Sequence, residues 1–245
     1  MRLIKIVFLG LVLLGLVSCA QQKRPAADAT ATFNAHVRQG AYYLNQGSYE
    51  KALEEFDRAL ALNPSSAKAY NLSGLVHFRQ KNYQAAEGRF LKAVAGDPSF
   101  APAYNNLGGV YAMENQWSAA KEMLTKAISL SPDMASAHFS LGAVYFNLGE
   151  AEKGTACFAK GIALDPDYLE KSSTSLVGLS MGSASLAELH FAFAKLYASA
   201  GNIERTVEFL TKAKQAGFHD WQRIARETDF EKIRDHPEIQ EFLKD

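Results

Sequence analysis

The chain has 245 residues, 26 basic against 26 acidic side chains, 48% hydrophobic residues and two cysteines. This charge balance lacks the clustered basic excess that a general nucleic-acid surface needs. No run of like charge marks an interaction tail.

In chain order, Arg2 and Lys5 precede an uncharged run from Ile6 to Val17, which ends at Ser18 and Cys19. A basic start, a short apolar core and small closing residues describe a secretory signal, and the run falls short of the ~20 apolar residues of a membrane span. Leu16–Val17–Ser18–Cys19 resembles the bacterial lipobox. That resemblance implies cleavage before Cys19 and lipidation of its thiol; a plain cleaved signal and an uncleaved anchor stay open. Similarity to Gram-negative lipoproteins, in which Asp after the cysteine favours the inner membrane, makes Ala20 compatible with the periplasmic face of the outer membrane. Loss of Arg2 and Lys5 with residues 1–18 leaves 24 basic against 26 acidic residues. With Cys19 lipidated, Cys157 has no disulfide partner. Polar residues with Pro25 and several Ala and Thr make 19–32 read as a flexible tether.

From residue 33 the chain is periodic. Pro64, Pro98, Pro132 and Pro166 stand 34 residues apart, as do Gly40, Gly74, Gly108 and Gly142. Phe56, Phe90, Leu124 and Phe158 keep the same step, as do Ala52, Ala86 and Ala120, and Ala59, Ala93 and Ala127. In the fourth unit Gly154 and Gly161 take those alanine places. A fixed period of this length marks stacked copies of one small unit. Tyr104, Leu107, Gly108 and Tyr111, then Ala120, Leu124, Ala127 and Ile128, each give one apolar helical face, so a unit reads as two helices. Gln46–Gly47, Asn115–Gln116 and Leu148–Gly149 mark the turn between them. Each proline stops the second helix, and Ser65, Ser99, Asp133 and Asp167 are placed to cap the next.

The signature Tyr70, Gly74, His77, Tyr83, Ala86, Phe90, Ala93 and Pro98, repeated as Tyr104, Leu107, Gly108, Tyr111, Trp117, Ala120, Ala127 and Pro132, resembles the tetratricopeptide repeat. The resemblance implies an all-α solenoid of antiparallel helix pairs, with four repeats over 33–168. A Ser-rich insert follows at 169–186, then a divergent fifth repeat at 187–217, in which His190, Tyr197, Gly201, Leu210 and Ala213 fall in step. Trp221, Ile224, Phe230, Ile233, Ile239 and Phe242 make 218–245 read as capping helices that cover the last apolar face.

Candidate chemistry is sparse. His36, His77, His138 and His190 fall one per repeat, and zinc needs three or four ligands around one ion, so packing is the better reading and no metal site is expected. His219 and His236 have no companion ligand at suitable spacing. Phosphate-loop, nucleophile-elbow and His-Glu-x-x-His motifs are absent, and neither a cofactor nor an enzymatic activity is expected. Glu54 and Glu55 beside Lys51 and Arg58 read as a solvated charge pattern, and Cys157 as a small packed hydrophobe.

The family resemblance implies that first helices line a concave groove for a peptide or a partner helix. The positions left free by the signature include Arg38, Lys68, Asn71, Arg79, Asn105, Met113, Phe139 and Phe146. Asn71 and Asn105 recur at equivalent places and suit a peptide backbone, the cations suit acidic partners, and Met113, Phe139 and Phe146 suit apolar side chains. Val37 and Ala41 stand where the chaperone-binding carboxylate clamp needs Lys and Asn, so that activity is not expected. The layout is similar to pilotin lipoproteins that assemble secretins and to repeat lipoproteins that scaffold peptidoglycan hydrolases. The reading is a lipid-anchored scaffold for another protein or peptide of the bacterial envelope, with a pilotin-like assembly factor or an enzyme subunit as alternatives.

Overall fold

The computed structural model describes residues 24–165, 168 and 183–244. Over them the chain is helical, without a strand, and it divides into two compact units, one through Phe100 and one from Ala101. The first unit holds α1 (Arg24–Asn45), α2 (Tyr49–Leu62), α3 (Ala67–Arg79) and α4 (Tyr83–Gly96). The second holds α5 (Ala101–Met113), α6 (Trp117–Leu130), α7 (Ala135–Asn147), α8 (Ala151–Leu164), α9 (Ser183–Ser199) and α10 (Ile203–Gln215). Two short helices, α11 (Gln222–Arg226) and α12 (Pro237–Phe242), flank a 3-10 turn at Thr228–Phe230 and complete it.

Consecutive helices pack as pairs, and the recurring glycine explains how. A Cβ on Gly40 would lie 2.5 Å from Phe56 Cε1, and one on Gly74 would lie 2.5 Å from Phe90 Cε1. In the second unit Gly108 meets Leu124 Cγ at 2.5 Å and Gly142 meets Phe158 Cε1 at 2.6 Å. Each pair therefore closes only where the first helix lacks a side chain and the second supplies a large one. Alanines at Ala52, Ala59, Ala86, Ala93, Ala120 and Ala127 are fully buried along the same seams.

Gly47, Asn115 and Gly149 take positive φ in the turns, as their residue types suggest, and Lys81 does so too at φ 61. The caps differ from expectation. Ser66, not Ser65, caps α3 by accepting from the Ala69 N–H. Ser65 and Ser99 instead donate to Asn63 Oδ1 and Asp97 Oδ1, which tightens the turn before the next helix. Pro166 and Asp167 lie outside the described residues.

Two boundaries are corrected. Residues 24–32 are the start of α1 and not part of a flexible tether. Ala26, Ala27, Ala29 and Ala31 give this stretch strong helix propensity, and Pro25 sits in the first turn, where its missing N–H is not needed. At the other end α9 begins at Ser183, inside the stretch read as insert 169–186, because Ala184 and Leu186 also favour helix.

The second unit carries the larger core. Phe191, Phe193, Phe209, Phe218, Trp221, Ile224, Phe230, Ile233 and Ile239 are all buried in it, so the C-terminal segment caps the last helix pair. Arg223 fastens the cap. Its guanidinium lies 4.4 Å from the Phe191 ring centroid and pairs with Glu188 at 2.9 Å and Glu227 at 2.7 Å. Lys195 reaches Glu227 at 2.5 Å and Asp229 at 3.3 Å. Burial alone would raise the Glu227 carboxyl; hydrogen bonds from Lys195 and Arg223 outweigh it and hold the group below the usual carboxylate range.

Candidate interaction surface

In the first unit α1 and α3 are neighbouring first helices. Arg38, Lys68 and Arg79 are exposed on them. Among the described residues Arg38 and Lys68 have no ion-pair partner, while Arg79 only reaches the Leu44 carbonyl at 3.5 Å. Packing leaves the Arg38 and Lys68 side chains in solvent, because their positions fall outside the buried faces of Val37, Gly40 and Leu44 on α1 and of Ala69, Ser73, Gly74 and Val76 on α3. Asn71 differs: it is only 6% exposed and is buried within α3. Its reading as an open groove amide is corrected, since the small Ala67, Ala69, Ser73 and Gly74 around it draw this stretch of helix into the packing.

In the second unit Asn105 is half-buried on α5 and donates to Asn106 Oδ1 at 3.4 Å. Its own Oδ1 is buried without a partner among the described residues. Met113 is half-buried at the C-terminus of α5. Phe139 and Phe146 are corrected from groove residues to core residues, at 1% and 7% exposure. The cause lies on α8. A Cβ at Gly154 would run into the Phe146 ring, and one at Gly161 would meet the Phe139 ring at 2.9 Å. The two phenylalanines fill hollows that alanine fills in the other repeats. Phe139 also stacks on Tyr168 with 4.5 Å between centroids. Two glycines in alanine places were the sequence signal for this.

The histidines do not converge, and no group of three or more His, Cys, Asp or Glu among the described residues could hold a metal ion. His36 Nδ1 lies 2.6 Å from Glu55 Oε2, and Arg58 donates to both Glu55 and Glu54 at 2.7 Å. Glu55 is therefore a buried bridge between α1 and α2 and not a solvated charge. His138 Nε2 sits 2.9 Å from the Pro132 carbonyl and closes the turn before α7. Burial pushes the Cys157 thiol up, which suits a packed hydrophobe and disfavours a nucleophile. Cys19 lies outside the described residues. Among the described residues no helix is long and apolar enough to cross a membrane.

Tetratricopeptide-repeat family models match residues 37–102, 110–149 and 135–168. The fold is similar to a thermophilic TPR protein of Thermus thermophilus, at TM-score 0.54 and 23% identity over 79% of this chain and 96% of that one. It is also similar to PilF of Pseudomonas aeruginosa, at TM-score 0.54 and 20% identity over 89% of this chain and 99% of that one. MamA protein aligns at TM-score 0.50 and 21% identity over 80% of this chain and 96% of that one. No curated protein sequence matches the chain. Family match, helix pairing and the recurring glycine closures agree: residues 37–102 and 110–168 are tetratricopeptide repeats in an all-α chain of antiparallel helix pairs.

Proposed function

We propose that this protein is a non-enzymatic scaffold, held to a bacterial envelope membrane by lipid on Cys19, that binds an acidic segment of another envelope protein. The observation that carries the binding reading is the set of exposed cations Arg38, Lys68 and Arg79 on the adjacent helices α1 and α3. Unpaired cations at these positions add little to folding, because exposed charges contribute at most ~1 kcal/mol even when paired. They are free to meet carboxylates, where complementary charge raises association rate and selectivity. The anchor reading is supported by Leu16–Val17–Ser18–Cys19 at the end of a short apolar run.

The two parts are tested separately. The double variant Arg38→Glu and Lys68→Glu should lose partner recovery in a pull-down from crosslinked membranes, with an unchanged melting temperature. Full recovery would reject the cationic surface. Cys19→Ala should move the protein to the soluble fraction and abolish palmitate labelling; persistent labelling would reject the anchor.

A further inference from the structure

One face of α3 departs from the repeat pattern in a way the scaffold reading does not use. Where the third repeat has Leu107 and Tyr111, one period later, the second repeat has Ser73 and His77. The two are four residues apart, and thus on one helical face. Ser73 is fully buried, and neither its Oγ nor the Nδ1 of His77 has a hydrogen-bond partner among the described residues, although both atoms are shielded from solvent. A leucine and a tyrosine have thus been replaced by two polar groups whose buried atoms are unsatisfied, which costs stability.

We propose that Ser73 and His77 make the first unit an acid-sensitive element, in which protonation of His77 loosens α3 from α2 and α4. A neutral imidazole can place its one proton on Nε2 and leave Nδ1 as a bare acceptor. The cation carries protons on both nitrogens, so a buried N–H without an acceptor and a positive charge arrive together. Among the described residues the charges that act on His77 are Arg89 from α4 and Asp57 from α2; α1, which also packs on α3, supplies none. Asp57 cannot answer the new charge fully, because it is exposed and already faces Arg89 at 3.5 Å. Burial holds the imidazole below its ordinary value, Arg89 adds to the effect and Asp57 opposes it.

A histidine harder to protonate when folded gives full stability above the unfolded value of about 6.5, and that stability is lost as pH falls from there toward the lower folded value. Glu227 also loses its ion pairs in acid, but it belongs to the second unit. A global melt would mix the two, so the readout must be local.

The test is hydrogen exchange of the full chain followed by mass spectrometry at about pH 7.5 and about pH 5, with intrinsic rates corrected, beside an NMR titration of the His77 ring. Protection in α3 and α4 should fall at the lower pH, by at most roughly thirtyfold, the ceiling for a group whose unfolded value is 6.5. His77→Tyr, alone or with Ser73→Leu, restores the residues of the third repeat and should abolish the fall. Equal protection at both pH values, an equal fall in both variants, or a His77 midpoint at or above 6.5 would each overturn the proposal.

Discussion

In the first unit the seams are narrow. Gly40 and Gly74 close on single phenylalanine rings, the rest of the seam is alanine, and polar groups reach the interior at Glu55, Asn71, Ser73 and His77. In the second unit the same 34-residue plan carries phenylalanines on both helices of the α7–α8 pair, followed by a run of packed rings through α9, α10 and the cap. The repeat therefore tolerates two styles of packing. One relies on small residues with a few large plugs and leaves room for buried polar groups. The other exchanges alanine for glycine on the second helix and fills the hollow from the first. A fold defined by its period can thus hold an interior with polar groups and one filled by rings without altering its backbone plan.

The contrast breaks most sharply at Phe139. Phe139→Ala should cost ~3–5 kcal/mol in the second unit, because the ring touches Gly161, Tyr168, Phe158 and Phe193. Denaturant unfolding followed by hydrogen exchange of α7 and α8 would measure it. Adding Gly161→Ala should recover part of that loss, since it restores the alanine of the other repeats. A double variant no more stable than the single one would show that the hollow is not what Phe139 fills.

The next test compares the two units at their glycines. Gly74→Ala should cost ~1–3 kcal/mol, since the new methyl group meets a rigid Phe90 ring. Gly108→Ala should cost a similar amount, because the fully buried Leu124 Cγ at 2.5 Å and the Ala120 carbonyl oxygen at 3.3 Å leave the methyl group no room. Gly108→Leu should cost at least ~1–3 kcal/mol despite leucine's better helix propensity. Thermal melts of the three variants would order them.

The smallest effect has the opposite sign. Gly88 in α4 is exposed, and a Cβ there would meet nothing within 4 Å. Gly88→Ala should therefore stabilise the first unit by ~0.5–1 kcal/mol, which a denaturation midpoint would detect. A loss at this site would mean that the face is covered in solution.

The period, the pairing and the glycine closures were legible because each depends on residue type at fixed spacing. The candidate site was legible only in part. Arg38, Lys68 and Arg79 are exposed as the spacing implies, since a long charged side chain rarely goes inside. Asn71, Phe139 and Phe146 are not, because burial depends on what the facing helix leaves empty. Gly154 and Gly161 carried that information, but only when read against the helix before them. Glu55 was hidden for a similar reason. Its place among charged neighbours on α2 says nothing of His36, nineteen residues earlier on α1, which draws it inward. The start of α1 was obscured by Pro25, whose punctuation outweighs four alanines in a reading by residue type.

That long first helix sets a reach. From Arg24 to Val37, the first buried residue among the described side chains, α1 advances ~20 Å at about 1.5 Å per residue. Five steps separate Cys19 from Arg24, and chain of that length spans at most ~17 Å. If Cys19 carries the lipid, the first repeat can stand no farther than ~40 Å from the bilayer surface, and a partner must offer its segment inside that layer. Lengthening α1 would change which partners fit, without altering a single residue of the binding face.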